Sequence, residues 1–271
     1  MNLLMVEMRR ALHRRLVRVL VVLALVAIVI AGFVEFFASV GLDVVALQAK
    51  DGHDPAVMTD WWIAGSGDGV LSVSAFLLLM GGLIGGASVV GAEWRAGTIS
   101  TVLTWEPRRL RLHAARVGSA GLLAAVIALA LQVVFLLAFL PSVLAHGTTV
   151  GADGEWALSL AGALARVSLL TATAAVLGCA IATLGRNTAA AIVVAWGWLA
   201  IGEGLVRGLL PEYSQWLVGE NATVVLTWAG LDSRDATSFS PVTAGAVLAV
   251  YTVSFAVLSA ALFQRRDVAG T

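Results

Sequence analysis

The sequence predicts an all-α membrane protein with six transmembrane helices, and three observations carry that prediction. First, the 271 residues are 59% hydrophobic and 13% charged, with a mean hydropathy of +0.93; a soluble domain has no use for so much apolar surface. Second, six stretches reach the roughly 20 apolar residues that a helix needs to cross a bilayer core. They are residues 19–37, 70–90, 117–140, 157–184, 188–210 and 242–263. None alternates like a barrel strand, and helices satisfy their own backbone in lipid. Third, the arginines gather at one set of span ends.

That third observation sets orientation. Arg9, Arg10, Arg14, Arg15 and Arg18 precede the first span, and Arg95, Arg108, Arg109, Arg111 and Arg116 follow the second. Arg186 follows the fourth, and Arg265 and Arg266 follow the sixth. Lys50, Arg207 and Arg234 fall at or near the opposite ends, among Asp43, Asp51, Asp54, Asp60, Asp68, Asp153, Glu155, Glu212, Glu220, Asp232 and Asp235. The positive-inside rule then puts both termini in the cytoplasm. A basic stretch ahead of an apolar one also resembles a secretory signal, but five further spans follow and no small-residue cleavage site precedes Gly41, so the first span is expected to be retained. Of the nine tryptophans, Trp61, Trp62, Trp156, Trp216 and Trp228 suit the outer interface, and Trp94 and Trp105 the inner one. Trp196 and Trp198 fall inside the fifth span, facing lipid, a neighbouring helix or a transported molecule.

Between the spans, Gly185-Arg186-Asn187 reads as a tight turn, making spans four and five antiparallel neighbours. The apolar stretch 222–231, between spans five and six, is too short to cross and reads as a re-entrant or interfacial segment. The lone Cys179 excludes an internal disulfide and reads as a small residue packed between helices. With no internal repeat, residues 1–271 read as one membrane domain.

Two basic elements lie at the cytoplasmic face. Residues 1–18 place Leu4, Met8, Ala11, Leu12 and Leu16 at helical spacing, with Glu7 and the arginines around the remainder. That pattern predicts an amphipathic interfacial helix against anionic headgroups. Residues 91–116 interrupt two spans with five arginines. Gly97 weakens the helix leaving the membrane, and Thr98, Thr101 and Thr104 then share one helical face, with Ile99, Val102 and Leu103 on another. Pro107 ends this short helix, and Arg108 and Arg109 lead into the third span.

The order Glu93, Gly97-Thr98, Pro107-Arg108-Arg109 after the second of six spans resembles the permease subunits of type-2 ABC exporters. The basic N-terminal helix and the long outer segment between spans five and six fit the same layout. The resemblance implies a membrane subunit that pairs with a second permease copy or a paralogue and with two copies of a separate ABC ATPase subunit. It implies an ATPase-coupling helix made from Glu93, Arg95, Gly97, Thr98, Pro107, Arg108 and Arg109, and export as the direction. The chain itself would then bind no cofactor, with ATP and Mg on the partner ATPase. In the residues, a P-loop needs a lysine followed by Ser or Thr, and the only lysine, Lys50, is followed by Asp51. The expected setting is a bacterial plasma membrane, with the lipid bilayer as a further partner and no nucleic acid.

Arg166 and Glu203 lie inside spans four and five, where isolated charges are costly. Their similar depths predict an intramembrane ion pair, serving as a helix lock or a substrate contact. Gly81, Gly82, Gly85 and Gly86 form two overlapping Gly-x-x-x-Gly patterns in span two, suited to helix packing at a dimer seam or within the subunit. No catalytic motif is present, and His13, His53, His113 and His146 lack metal-ligand spacing; Gly65-Ser-Gly67 reads as a flexible loop. An ion-coupled secondary transporter, relaying charge through Arg166, Glu203 and Glu35, is the alternative reading and predicts broken helices and inverted repeats.

Overall fold

The computed structural model describes residues 3–41, 54–62, 69–98, 103–104, 106–228 and 238–265. The protein is all-α. Helix α1 (Leu3–Leu12) is followed after a two-residue break by α2 (Arg15–Ala38), the first of six helices long and apolar enough to cross a membrane. The others are α3 (Val70–Arg95), α4 (Arg109–His146), α5 (Gly154–Gly185), a two-part fifth span of α6 (Thr188–Gly197) and α7 (Glu203–Leu209), and α9 (Pro241–Arg265). The short α8 (Val218–Thr227) lies between spans five and six.

The N-terminal segment departs from expectation. The predicted single helix over residues 1–18 is broken at Arg14, which takes an extended conformation (φ −66°, ψ 133°), so Arg15 and Arg18 belong to α2. The buried face of α1 carries Glu7 and Ala11, whereas Leu12 and Leu16 stay exposed.

Helices α3 and α5 form the closest pair, because glycines replace side chains where the backbones meet. A Cβ on Gly82 would lie 2.7 Å from the Thr171 carbonyl oxygen. One on Gly86 would collide with Ala175, and one on α5's Gly178 would collide with Leu83. Helix α4 packs beside α5, and α2 is seated on α4 with little contact to α3.

The Gly185–Asn187 turn forms as the sequence predicts. Arg186 takes the left-handed conformation (φ 52°), and the Asn187 side chain caps α6 by accepting from Ala189 N–H at 2.8 Å. The fifth span contains a π-turn, Trp198–Gly202, where Glu203 N–H reaches back to the Trp198 carbonyl. At the acid-rich end, residues 54–62 fold inward. Met58 N–H donates to Thr148 O (3.0 Å), Thr148 N–H to Ala56 O (3.1 Å), and Trp61 N–H of the indole to Pro55 O (2.8 Å). Trp61 and Trp62 are thus buried within the bundle, where each large ring fills the gap between helix ends.

Candidate functional site

The arginine-rich end is organised around one carboxylate. Glu93, in the last turn of α3, receives Arg10 Nη2 at 3.2 Å and Arg14 Nη2 at 2.8 Å on its Oε1 atom. Its Oε2 atom stands against Arg116 Nη2 of α4. Glu7 closes the group, 3.1 Å from Arg10 Nη1 and 3.9 Å from Arg116 Nε. Arg14 also donates through Nη1 to the Ser88 carbonyl of α3 at 2.7 Å. Arg14 reaches both because it sits in the break between α1 and α2.

Three arginines therefore meet two glutamates, and the centre of the group is enclosed: the side chains of Arg116 and Glu93 are 1% and 6% exposed, while Arg10 lies at the rim. The Arg116–Glu93 contact is one of charge and not an aligned hydrogen bond, since Glu93 Oε2 and Arg116 Nε and Nη2 have no hydrogen-bond partner among the described residues. Burial lowers the pKa of Arg14, and the Glu93 charge opposes that shift. Around the ions, Ala11 of α1 packs with Val89, Val90, Ala120 and Leu123. The cluster binds α1, the end of α3 and the start of α4 into one body.

The expected coupling residues divide into a buried and an exposed set. Glu93 is a buried anchor, held within the ionic cluster and not on the surface. Beyond it, α3 ends in a Schellman motif, with Gly97 at φ +65°, Gly97 N–H donating to Trp94 O (3.3 Å) and Thr98 N–H to Glu93 O (3.2 Å). Gly97, Thr98, Pro107 and Arg108 are exposed. Arg109 donates to the Gln264 carbonyl at 3.4 Å, tying α4 to α9. Leu103 and Thr104 are helical, while Ile99, Thr101, Val102, Trp105 and the Arg95 side chain lie outside the described residues. Beneath this surface, His113 Nε2 meets Ser259 Oγ at 3.0 Å, Leu112 packs on Phe263, and Arg186 lies over the Trp94 ring at 5.0 Å.

Arg166 and Glu203 do not pair. The Arg166 guanidinium lies between the Trp62 and Trp228 rings, 5.6 and 5.4 Å from their centroids, and its Nε donates to Leu226 O at 3.2 Å. Glu203 instead accepts from Gly219 N–H at 2.9 and 3.2 Å, so its carboxylate caps the positive end of α8, and Arg207 stands 3.6 Å away. Each charge finds a nearer partner on the segment joining spans five and six, which packs against both helices. That segment, α8, buries Asn221, Val224, Val225 and Thr227 and meets both charges.

The glycines also divide. Gly82 and Gly86 face α5 within the subunit, whereas a Cβ on Gly81 or Gly85 meets nothing within 4 Å. Lys50, Asp43, Asp51, His53, Asp68, Gly65-Ser-Gly67, Asp232, Arg234, Asp235 and Arg266 lie outside the described residues. The cluster was missed in the sequence because its five members come from three distant segments. The signal was present in Glu7 and Glu93, the acids embedded among arginines. Comparison with family models, with curated proteins and with solved structures returned no match.

Proposed function

We propose that the chain is the membrane subunit of an ATP-driven ABC exporter, working as a dimer with a second permease copy or paralogue and driven by a separate ATPase that holds ATP and Mg. The observation that carries this reading is the pairing of an exposed basic turn with a buried ionic anchor directly beneath it. A partner pressing on Thr98, Pro107 and Arg108 would push a body made of α1 and the ends of α3 and α4, and not a loose loop. That body continues into the close α3–α5 contact, through which a tilt would reach the membrane-crossing part. The arginines gathered at this end support a cytoplasmic orientation by the positive-inside rule, and in a bacterial plasma membrane a soluble ATPase would reach it there.

The ion-coupled alternative draws on the interrupted fifth span, but its three charges are separated. Arg166 is held by indoles, Glu203 by a helix terminus, and Glu35 lies on α2. The test is purification of the tagged full-length chain from its native membrane in mild detergent. A P-loop ATPase should copurify and hydrolyse ATP, and Thr98→Glu with Arg108→Glu should release it while the permease stays folded. Transport that follows a proton or sodium gradient with no ATPase would overturn the reading.

A further inference from the structure

Between α2, α3 and α4 lies a cavity of about 600 Å³, within the range of small-molecule sites. It exists because α2 rests on α4 and barely touches α3. A smaller cavity of about 160 Å³ shares Ala24, Leu77, Leu78 and Leu131 with it and continues toward the arginine-rich end along Gly81 and Gly85. This explains why those two glycines face open space.

The lining is almost wholly apolar; its polar side chains are Ser74, whose hydroxyl donates to Leu71 O at 2.7 Å, Glu35 and Gln132. Glu35 projects from α2 into the larger cavity and has no ion-pair partner among the described residues. Asp54, near enough to act on it electrostatically, adds a second negative charge at that mouth. Gln132 of α4 is 1% exposed and spends its amide N–H groups on Ala128 O, Leu164 O and Ser168 Oγ, at 3.1, 3.4 and 3.1 Å. Its Oε1 atom, also buried, receives no hydrogen bond. An orphaned acceptor costs on the order of 1–3 kcal/mol, and a turn of the Gln132 amide toward the cavity that its side chain lines would bring Oε1 to a ligand N–H.

The two groups stand at different depths. Gly32 abuts Ala138, so Glu35 lies about nine residues beyond Gln132 along parallel helices, roughly 13 Å of axis. We propose that this cleft binds an elongated amphipathic organic cation, with its charge at Glu35, an N–H group at Gln132 Oε1 and its apolar body against α3. A lipid acyl chain would fill the apolar volume but would leave both polar groups unanswered. Binding needs no ATPase; that such a cation is carried outward rests on the exporter reading.

The test uses the full chain in phosphatidylcholine nanodiscs and two xanthene dyes of similar shape. Rhodamine 6G is a cation with an N–H group at each end, and fluorescein is an anion. Fluorescence polarisation, corrected with empty nanodiscs, should show saturable binding of rhodamine 6G and none of fluorescein. Glu35→Gln should weaken rhodamine 6G binding about tenfold, and Ser74→Phe, which fills the cavity, should abolish it, with unfolding midpoints confirming intact folds. The exposed Glu155→Gln should change nothing. Binding of rhodamine 6G that ignores Glu35→Gln, equal binding of both dyes, or no saturable binding to the wild type would overturn the proposal; the second result would mark an acyl-chain groove.

Discussion

Glu93 carries more consequence than any other single side chain at the arginine-rich end, because its two oxygens answer three arginines. Glu93→Gln leaves Arg116 enclosed without a full counter-charge, and breaking a buried ion pair from one side costs about 3 kcal/mol or more. A clear drop in the unfolding midpoint of the purified chain is expected, and an unchanged midpoint would show that the cluster is not a lock. Gly97 makes a different demand. Its Cβ position is empty, so Gly97→Ala tests backbone conformation alone and should cost about 1 kcal/mol through the left-handed φ. Arg166→Ala, read in the same unfolding assay, removes a cation held by two indoles and should cost roughly 1–2 kcal/mol.

The helices make a paired prediction. Gly86→Ala drives a methyl into the backbone of α5 and should destabilise by about 1–3 kcal/mol, the usual cost of overpacking. Gly85→Ala, one residue away, should be neutral in the same thermal-unfolding measurement because its Cβ enters open space. The sequence shows all four glycines but not this division. Neighbours on a helix point about 100° apart, and only the surrounding helices decide which pair is covered. Arg166 and Glu203 teach the same lesson. Counted from the shared turn at Arg186, their depths agree within about 5 Å, which motivates the pairing. Depth says nothing about azimuth, and both side chains turn toward the segment around α8. The six spans were legible because the bilayer demands length and apolarity, which a sequence displays directly. The π-turn at Trp198–Gly202 was not, since a single widened turn leaves the apolar pattern intact.

Across the whole molecule, charge divides the two ends and the architecture differs with it. The acid-rich end is closed by residues 54–62 folding their tryptophans into the bundle, while the arginine-rich end presents an exposed turn over an ionic floor. The basic segment was legible as an oddity of length and charge, and the helix stop at Gly97 could be read from it. Its linkage to α1 could not, since nothing in the spacing of Glu7, Arg10 and Arg14 names a partner some eighty residues away. On the reading proposed above, this turn receives a separate ATPase. Cys179 is buried, so position-specific chemistry elsewhere on the chain is clean. A photo-crosslinking residue placed at Thr98 or Arg108 in native membranes should yield a covalent product with a P-loop ATPase, and the same residue at Glu155, on the opposite end, should not. No ATPase product from Thr98 or Arg108, or an equal yield from Glu155, would contradict the claim.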